Sequence, residues 1–128
     1  MFLEKGRALS ARPGALRNAS SGRVVAGNVE LAVTSETRRR GLLGREGLAP
    51  GHALLIAPCS SIHTWFMRFP IDVIYVRRDG LVLKTRAAIP AWRMSAGWGA
   101  FAVVEMAAGA VAQAGVSRGD RLELVFES

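Results

Sequence analysis

The dipeptide Asp79-Gly80, set between two strand-like runs, is the feature that most limits how this chain can fold. The runs are Ile71–Arg77 and Leu81–Ala87, and Arg78 completes the connection between them. Asp-Gly favours the positive backbone dihedral angles that a tight reversing turn requires, and such a turn joins antiparallel neighbours. The sequence therefore predicts a β-hairpin across this dipeptide.

Short apolar or alternating segments, each bounded by turn residues, recur along the rest of the chain and are typical of strands. They are Val24–Val25, Val29–Val33, Ala53–Ala57, His63–Met67, Phe101–Met106 and Leu122–Phe126. The first two are separated by Gly27-Asn28 and predict a hairpin or one bent strand. Together with the Asp79-Gly80 hairpin, the pattern predicts about seven short strands.

Two short helices are predicted among these strands. Thr34 and Ser35 can cap a helix over Glu36–Leu43 that ends near Gly44, because their hydroxyl oxygens accept hydrogen bonds from the first turn. The Ala-rich segment Gly109–Gly115 predicts one or two further helical turns.

No strand–helix–strand crossover of adequate length recurs, which excludes a parallel doubly wound sheet. The chain also lacks a Gly-x-Gly-x-x-Gly after a strand and a lysine in a Gly-rich phosphate loop, the usual marks of nucleotide folds. We therefore predict an α+β, mainly β fold. It is one compact domain of short, largely antiparallel strands in a curled sheet or small barrel, with two short helices.

The first 22 residues carry no hydrophobic periodicity and are rich in Ser, Gly, Ala and Arg. Such a segment buries too little apolar surface to offset the entropy of ordering, so a flexible basic tail is predicted before a β-rich domain over residues 23–128. The formal net charge is +7, and residues 1–23 hold five basic side chains against Glu4 alone. The remainder is only mildly basic, which makes nucleic acid the least favoured partner.

Composition also limits covalent chemistry and location. The single cysteine, Cys59, allows no internal disulfide and no cysteine metal cluster, and no cofactor is expected. No apolar run approaches the ~20 residues that cross a bilayer, and the start lacks the apolar core of a secretory signal. We expect a cytoplasmic monomer without a membrane span; a truncated or misassigned start would also account for the tail.

Cys59 and His63 lie four residues apart and are side chains of the types that bind zinc. The only other histidine is His52, so a zinc site lacks ligands, and a Cys–His nucleophile would need a third, orienting group. We therefore interpret Cys59 as a half-buried thiol and His63 as a hydrogen-bonded strand residue. No metal site is predicted.

A basic cluster is the candidate anion site, and it comprises Arg38, Arg39, Arg40 and Arg45. Three consecutive arginines spread over most of the circumference of a helix, which is typical of a solvated face. The aromatic residues Trp65, Trp92 and Trp98, with Tyr75 and Phe101, could instead line a groove, although most aromatic side chains in small domains belong to the core. Trp92 and Trp98 lie in a predicted loop, Trp92–Gly99, where packing does not explain them.

Asp72 and Glu105 are acids embedded in apolar strand sequence, where an ionised group is costly unless it is paired. Each is therefore expected to be held by backbone or arginine donors, or to be used chemically. We predict that both lie beside one concave surface, with His63 or an arginine within hydrogen-bond reach of at least one. The candidate cleft comprises His63, Trp65, Asp72, Trp92, Trp98 and Glu105.

Four separated blocks resemble a known family in order and spacing. They are Thr37–Leu42, His63–Tyr75, Val104–Gly109 and Gly119-Asp120. The blocks are similar to those of the bacterial and archaeal "domain of unknown function 192" family, and the likeness runs from about Val24 to the C-terminus. Leu43 and Leu55 stand where methionines are common in that family. The resemblance implies a compact β-rich domain and no particular activity.

Three hypotheses about function follow. The leading one is a non-enzymatic domain that binds an unknown small ligand, or an accessory domain for a protein partner. The second is a small hydrolase or lyase that uses Asp72 and Glu105 as general acid and base. The third is a weak anion or nucleic-acid binder that acts through the arginine cluster.

Overall fold

The computed structural model describes residues 13–126, which form ten strands and two short helices. The strands are β1 (Pro13–Asn18), β2 (Val24–Ala26), β3 (Asn28–Ala32), β4 (His52–Ile56), β5 (Ser61–His63), β6 (Ile71–Val76), β7 (Val82–Ile89), β8 (Met94–Ala96), β9 (Ala102–Ala107) and β10 (Leu122–Phe126). The helices are α1 (Ser35–Arg40) and α2 (Ala110–Ala114). The predicted mainly β class is confirmed, and over this range the strands form curled open sheets rather than a closed barrel.

Five strands form the central sheet in the order β3-β4-β9-β6-β7. β3 and β4 pair in parallel, and every other pair in this sheet is antiparallel. β6 and β9 lie inside the sheet, and both of their faces are buried. This explains why their sequences are nearly continuous apolar runs rather than alternating ones.

The predicted hairpin is confirmed. β6 and β7 are antiparallel, Tyr75 lies opposite Lys84, and the Arg77 N–H donates to the Leu81 carbonyl at 2.8 Å. The turn residues therefore reverse the chain where the Asp-Gly dipeptide indicated.

One face of the central sheet packs against a second sheet, β10-β1-β2, and against α2. The expected tail boundary at Gly22 is corrected here, because Pro13–Asn18 forms β1 between two antiparallel partners and Leu16 is fully buried. The segment showed no periodicity because it depends on partner strands that are distant in sequence. The rest of the expected tail, residues 1–12, lies outside the described residues.

The opposite face of the central sheet is covered by the segment around α1, including Leu42, and by a two-stranded ribbon, β5-β8, which contributes Ile62. Two predictions are corrected in this region. The strand expected over His63–Met67 is Ser61–His63, and the loop expected over Trp92–Gly99 contains β8. Strands of three residues are too short to impose a readable alternation on the sequence.

The helix α1 begins as predicted, since the Thr34 hydroxyl accepts a hydrogen bond from the Thr37 N–H at 3.1 Å. It ends at Arg40 rather than near Gly44, because Gly41 adopts a positive φ of 51° that stops the helix. α2 falls inside the predicted Gly109–Gly115 segment. Of the two helices described, neither has the length and hydropathy needed to cross a membrane.

Candidate functional site

A cavity of about 180 Å³ lies on the face of the central sheet that α1 and β5 border, and we call it the α1 cavity. Its polar lining comprises Arg38, Arg39, Arg40, Cys59, Ser61, His63 and Glu105. Leu42, Ile56, Ile62 and Met67 supply apolar walls. The cavity thus combines an apolar interior with charged groups at fixed positions, which is the usual composition of a small-molecule site.

Glu105 is the buried polar group of this cavity. It lies on β9 opposite Leu54 of β4 and Val73 of β6, and only 5% of its surface is exposed. Among residues 13–126, none donates a hydrogen bond to its carboxyl group or forms an ion pair with it. Burial therefore raises the pKa of Glu105 to about 7.

Arg38 approaches the cavity from α1 with an unusually free donor. Its Nη1 donates to the Pro58 carbonyl at 3.3 Å, and its Nη2 makes a long contact of 3.5 Å with the Ser35 hydroxyl. The Nε–H is buried and has no hydrogen-bond partner in the part of the chain that the structure describes. A buried N–H without a partner is costly, so an acceptor at this position would stabilise the site.

Cys59 lines the same cavity as a protonated thiol. Its Sγ donates to the Ser61 carbonyl at 3.1 Å. Burial raises the pKa of this thiol, and the nearby carboxyl group of Glu105 adds to the rise. A nucleophilic cysteine needs a lowered pKa, so these surroundings do not favour covalent catalysis. Within the described range, no three His, Cys, Asp or Glu side chains are arranged to hold a metal ion.

Asp72 belongs to the opposite face of the central sheet. It pairs with Met106 in the β6–β9 ladder, whereas Glu105 pairs with Val73, and successive side chains of a strand point to opposite faces. Its carboxylate accepts hydrogen bonds from the N–H groups of Ala88 at 2.8 Å and of Gly109 and Val111 at 3.0 Å each. The prediction that Asp72 and Glu105 share one surface is therefore wrong.

This separation removes the basis for the acid–base hypothesis. Asp72 is occupied by three backbone donors that join the β7 edge to the start of α2, and the central sheet stands between it and Glu105. A hydrolase or lyase that uses this pair as general acid and base would need both carboxyl groups near one substrate.

The arginine cluster is divided by the structure. Arg38, Arg39 and Arg40 border the α1 cavity, whereas Arg45 is paired with Glu30 at 2.6 Å and is not part of the lining. The four side chains consequently do not form one anion site, but three of them give the cavity a positive rim.

The predicted aromatic cleft is also divided. His63 borders the α1 cavity, and the ring of Trp65 contacts the ring of His63, with centroids 4.9 Å apart. Trp92 contacts Phe66 at the end of the ribbon nearest to Trp65. Trp98 follows the other end of the ribbon, and Tyr75 is fully buried in the core.

Sequence reasoning missed the residues that give the cavity its shape. Met67 ended the predicted strand His63–Met67 and Ile62 preceded it, and neither residue carried a polar signal. The buried Nε of Arg38 is not distinguishable by sequence from those of Arg39 and Arg40. The one available signal was Glu105, a lone acid inside an apolar run, which does border the cavity.

The fold and the cavity define the class: a small, mainly β domain with a basic, partly apolar cavity on the face of its central sheet that α1 and the ribbon cover. The chain belongs to the DUF192 family, described as "uncharacterized ACR", whose sequence model matches residues 16–124. The resemblance identified from the four sequence blocks is thereby confirmed.

Two crystal structures are similar to this chain. A protein of Sinorhizobium meliloti 1021, described provisionally as a transcription regulator, is 30% identical, with 86% of this chain and 90% of that chain covered and a TM-score of 0.75. A protein of unknown function from Novosphingobium aromaticivorans DSM 12444 is 24% identical, with coverages of 94% and 99% and a TM-score of 0.72. The comparison with curated proteins gives no match.

Proposed function

We propose that this protein is a small-ligand-binding domain and that its ligand, a compact apolar acid, occupies the α1 cavity. The observation that carries the proposal is the carboxyl group of Glu105, which is buried, borders the cavity and has no partner in residues 13–126. A buried polar group without a hydrogen bond destabilises a fold, and such groups persist at sites where function requires them.

The charge of the lining favours an anionic ligand over a cationic one. Arg38, Arg39 and Arg40 border the cavity against Glu105 alone. Because burial raises the pKa of Glu105 to about 7, this group keeps its proton on a large share of the molecules near neutral pH and can donate a hydrogen bond. A ligand carboxylate could accept from the protonated Glu105 and from the guanidinium group of Arg38, since both side chains line the cavity.

The volume of the cavity limits the size of the ligand. An engineered protein cavity of about 150 Å³ accommodates benzene, and the α1 cavity measures about 180 Å³. A single aromatic ring or a short branched chain would fill the apolar part, between Leu42, Ile56 and Met67, and leave the acid group at the polar lining.

Binding is favoured over catalysis because the candidate nucleophile is not activated and the candidate acid–base partner of Glu105 is not at the cavity. The thiol of Cys59 is protonated, and Asp72 is on the other face of the sheet. A role as the ligand-sensing part of a regulatory system would agree with the provisional description of the Sinorhizobium meliloti relative.

The proposal is tested by titrating the labelled protein with benzoate and isovalerate, and with the matching amides, while backbone amide signals are followed by NMR. We expect the acids to shift the signals of α1 and β9 and the amides to bind much more weakly. Arg38→Gln should weaken acid binding about tenfold or more, the value of one charge-assisted hydrogen bond. The matched control is Arg45→Gln, whose side chain is outside the cavity, and its affinity should equal that of the wild type.

The outcomes separate the two parts of the proposal. If no acid or amide perturbs the signals of the cavity residues, the α1 cavity is not a site for ligands of this size. If the amides bind as tightly as the acids, the cavity is a ligand site but the acid class is wrong.

A further inference from the structure

A second surface, formed by residues that do not line the α1 cavity, exposes large apolar side chains at one end of the ribbon. Trp65 and Phe66 follow β5, Trp92 precedes β8, and Met94 begins it. All four are exposed, Phe66 to 70% and Trp92 to 56%. We call these four residues the aromatic tip. Exposed apolar groups that cluster in this way mark surfaces of interaction.

The backbone of the aromatic tip is strained in a way that its own packing does not offset. Phe66 and Trp92 have φ angles of 64° and 67°, in the left-handed region that bulky residues rarely adopt. Both rings are largely exposed, so packing within the chain offsets little of the strain energy. Strained residues of this kind are found where function requires them.

A buried threonine, Thr64, joins the segment that follows β5 to the segment that precedes β8. The Thr64 hydroxyl donates to the Pro90 carbonyl at 2.6 Å and accepts from the Arg93 N–H at 2.9 Å. The Trp92 N–H donates to the Thr64 carbonyl at 3.1 Å. The rings are therefore presented by a rigid frame rather than by a loop that is free to fold them inward.

The ring arrangement and the charges indicate the kind of partner. Phe66 and Trp92 meet edge to face, with centroids 4.7 Å apart and planes at 62°, so they offer no parallel platform on which nucleobases stack. The charged residues in segments 63–69 and 90–94 are Arg68 and Arg93. Arg93 has no acidic partner in the described part of the chain, whereas Arg68 lies 3.4 Å from the exposed carboxylate of Glu46, which a lipid phosphate would replace. Tryptophan and phenylalanine flanked by arginine suit the boundary between acyl chains and anionic headgroups.

We propose that the aromatic tip inserts into the headgroup region of an anionic lipid bilayer and attaches the domain peripherally to a membrane surface. Trp65, Phe66, Trp92 and Met94 enter the interface, while Arg68 and Arg93 contact lipid phosphates. The attachment leaves the α1 cavity, which borders the tip through His63, next to the membrane.

The test is flotation of the full chain with vesicles of phosphatidylcholine alone and of an equimolar mixture with phosphatidylglycerol. We expect binding to the anionic vesicles, weakened by salt because screening reduces the attraction of the arginines. The double variant Phe66→Asn/Trp92→Asn should bind about tenfold or more weakly, since two large apolar groups leave the interface. Asparagine tolerates a positive φ, so the melting temperature of the double variant should hold or rise. This separates a loss of binding from a loss of folding.

Trp98 supplies the matched control, because it is 97% exposed but lies beyond the other end of the ribbon. Trp98→Asn should bind anionic vesicles as the wild type does. In Trp98→Phe, where only Trp65 and Trp92 remain, tryptophan emission should shift to the blue when anionic vesicles are added.

Three results would overturn the proposal. One is an absence of binding to anionic vesicles at low salt, and another is an equal loss of binding in Trp98→Asn and the double variant. The third is tip-dependent binding of a single-stranded oligonucleotide without vesicle binding, which would make the aromatic tip a base-stacking surface instead.

Discussion

Replacing Glu105 with glutamine should stabilise the protein at alkaline pH and leave it nearly unchanged in acid. The carboxyl group lies in the α1 cavity without a partner among the described residues, and burial raises its pKa from 4.5 to about 7. At ~1.36 kcal/mol per pKa unit, this shift corresponds to a cost of about 3 kcal/mol for ionising Glu105 in the folded protein. Glutamine has the same shape and never ionises, so it resembles the protonated acid.

The direction of the pH dependence follows from proton binding. Below the unfolded pKa of 4.5, Glu105 is protonated in both states and does not affect the free energy of unfolding. Between 4.5 and about 7 only the folded state keeps the proton, so stability falls as the pH rises. Above about 7 the group is ionised in both states, and the full penalty for burying the charge is present.

Urea denaturation of the wild type and of Glu105→Gln at about pH 5 and about pH 8 measures the effect, and the difference between the proteins cancels all other titrating groups. From about pH 5 to about pH 8, the free energy of unfolding of the variant should rise by about 2–3 kcal/mol relative to that of the wild type. This corresponds to roughly 10 °C in melting temperature. Glu36→Gln, which alters an exposed acid on α1, should stay within about 0.5 kcal/mol at both. If Glu105→Gln were less stable at both, the carboxylate would have a stabilising partner and the reasoning about the site would be refuted.

Two further predictions concern architecture. Asp72→Asn should lower the free energy of unfolding by about 2–4 kcal/mol, because an amide cannot accept from all three N–H groups that the carboxylate binds; urea denaturation measures this, and a loss below about 1 kcal/mol would contradict the assignment of Asp72 to a structural network. Gly97→Ala should cost about 1–3 kcal/mol in the same assay, because a Cβ at this position would overlap the buried ring of Tyr75. Gly47→Ala, where a Cβ meets open space, is the control, and equal effects at Gly97 and Gly47 would show that the ring does not approach the backbone so closely.

Local sequence signals predicted the parts of the fold that local chemistry controls. The Asp79-Gly80 hairpin, the Thr34 cap and the apolar runs of β4, β6 and β9 each depend on residues that are close in sequence. β1, β5 and β8 depend instead on pairing with strands far along the chain, so their short segments carried no pattern to recognise.

The sequence by itself determined that Asp72 and Glu105 are buried acids, because each interrupts an apolar strand. Their roles were decided by the tertiary structure. The β6–β9 register turns Asp72 towards three backbone donors and Glu105 towards the opposite face, where α1 and β5 leave a cavity beside it. A side chain's face depends on its strand's pairing and its partners depend on what packs there, and both are set by contacts between segments that no local pattern encodes.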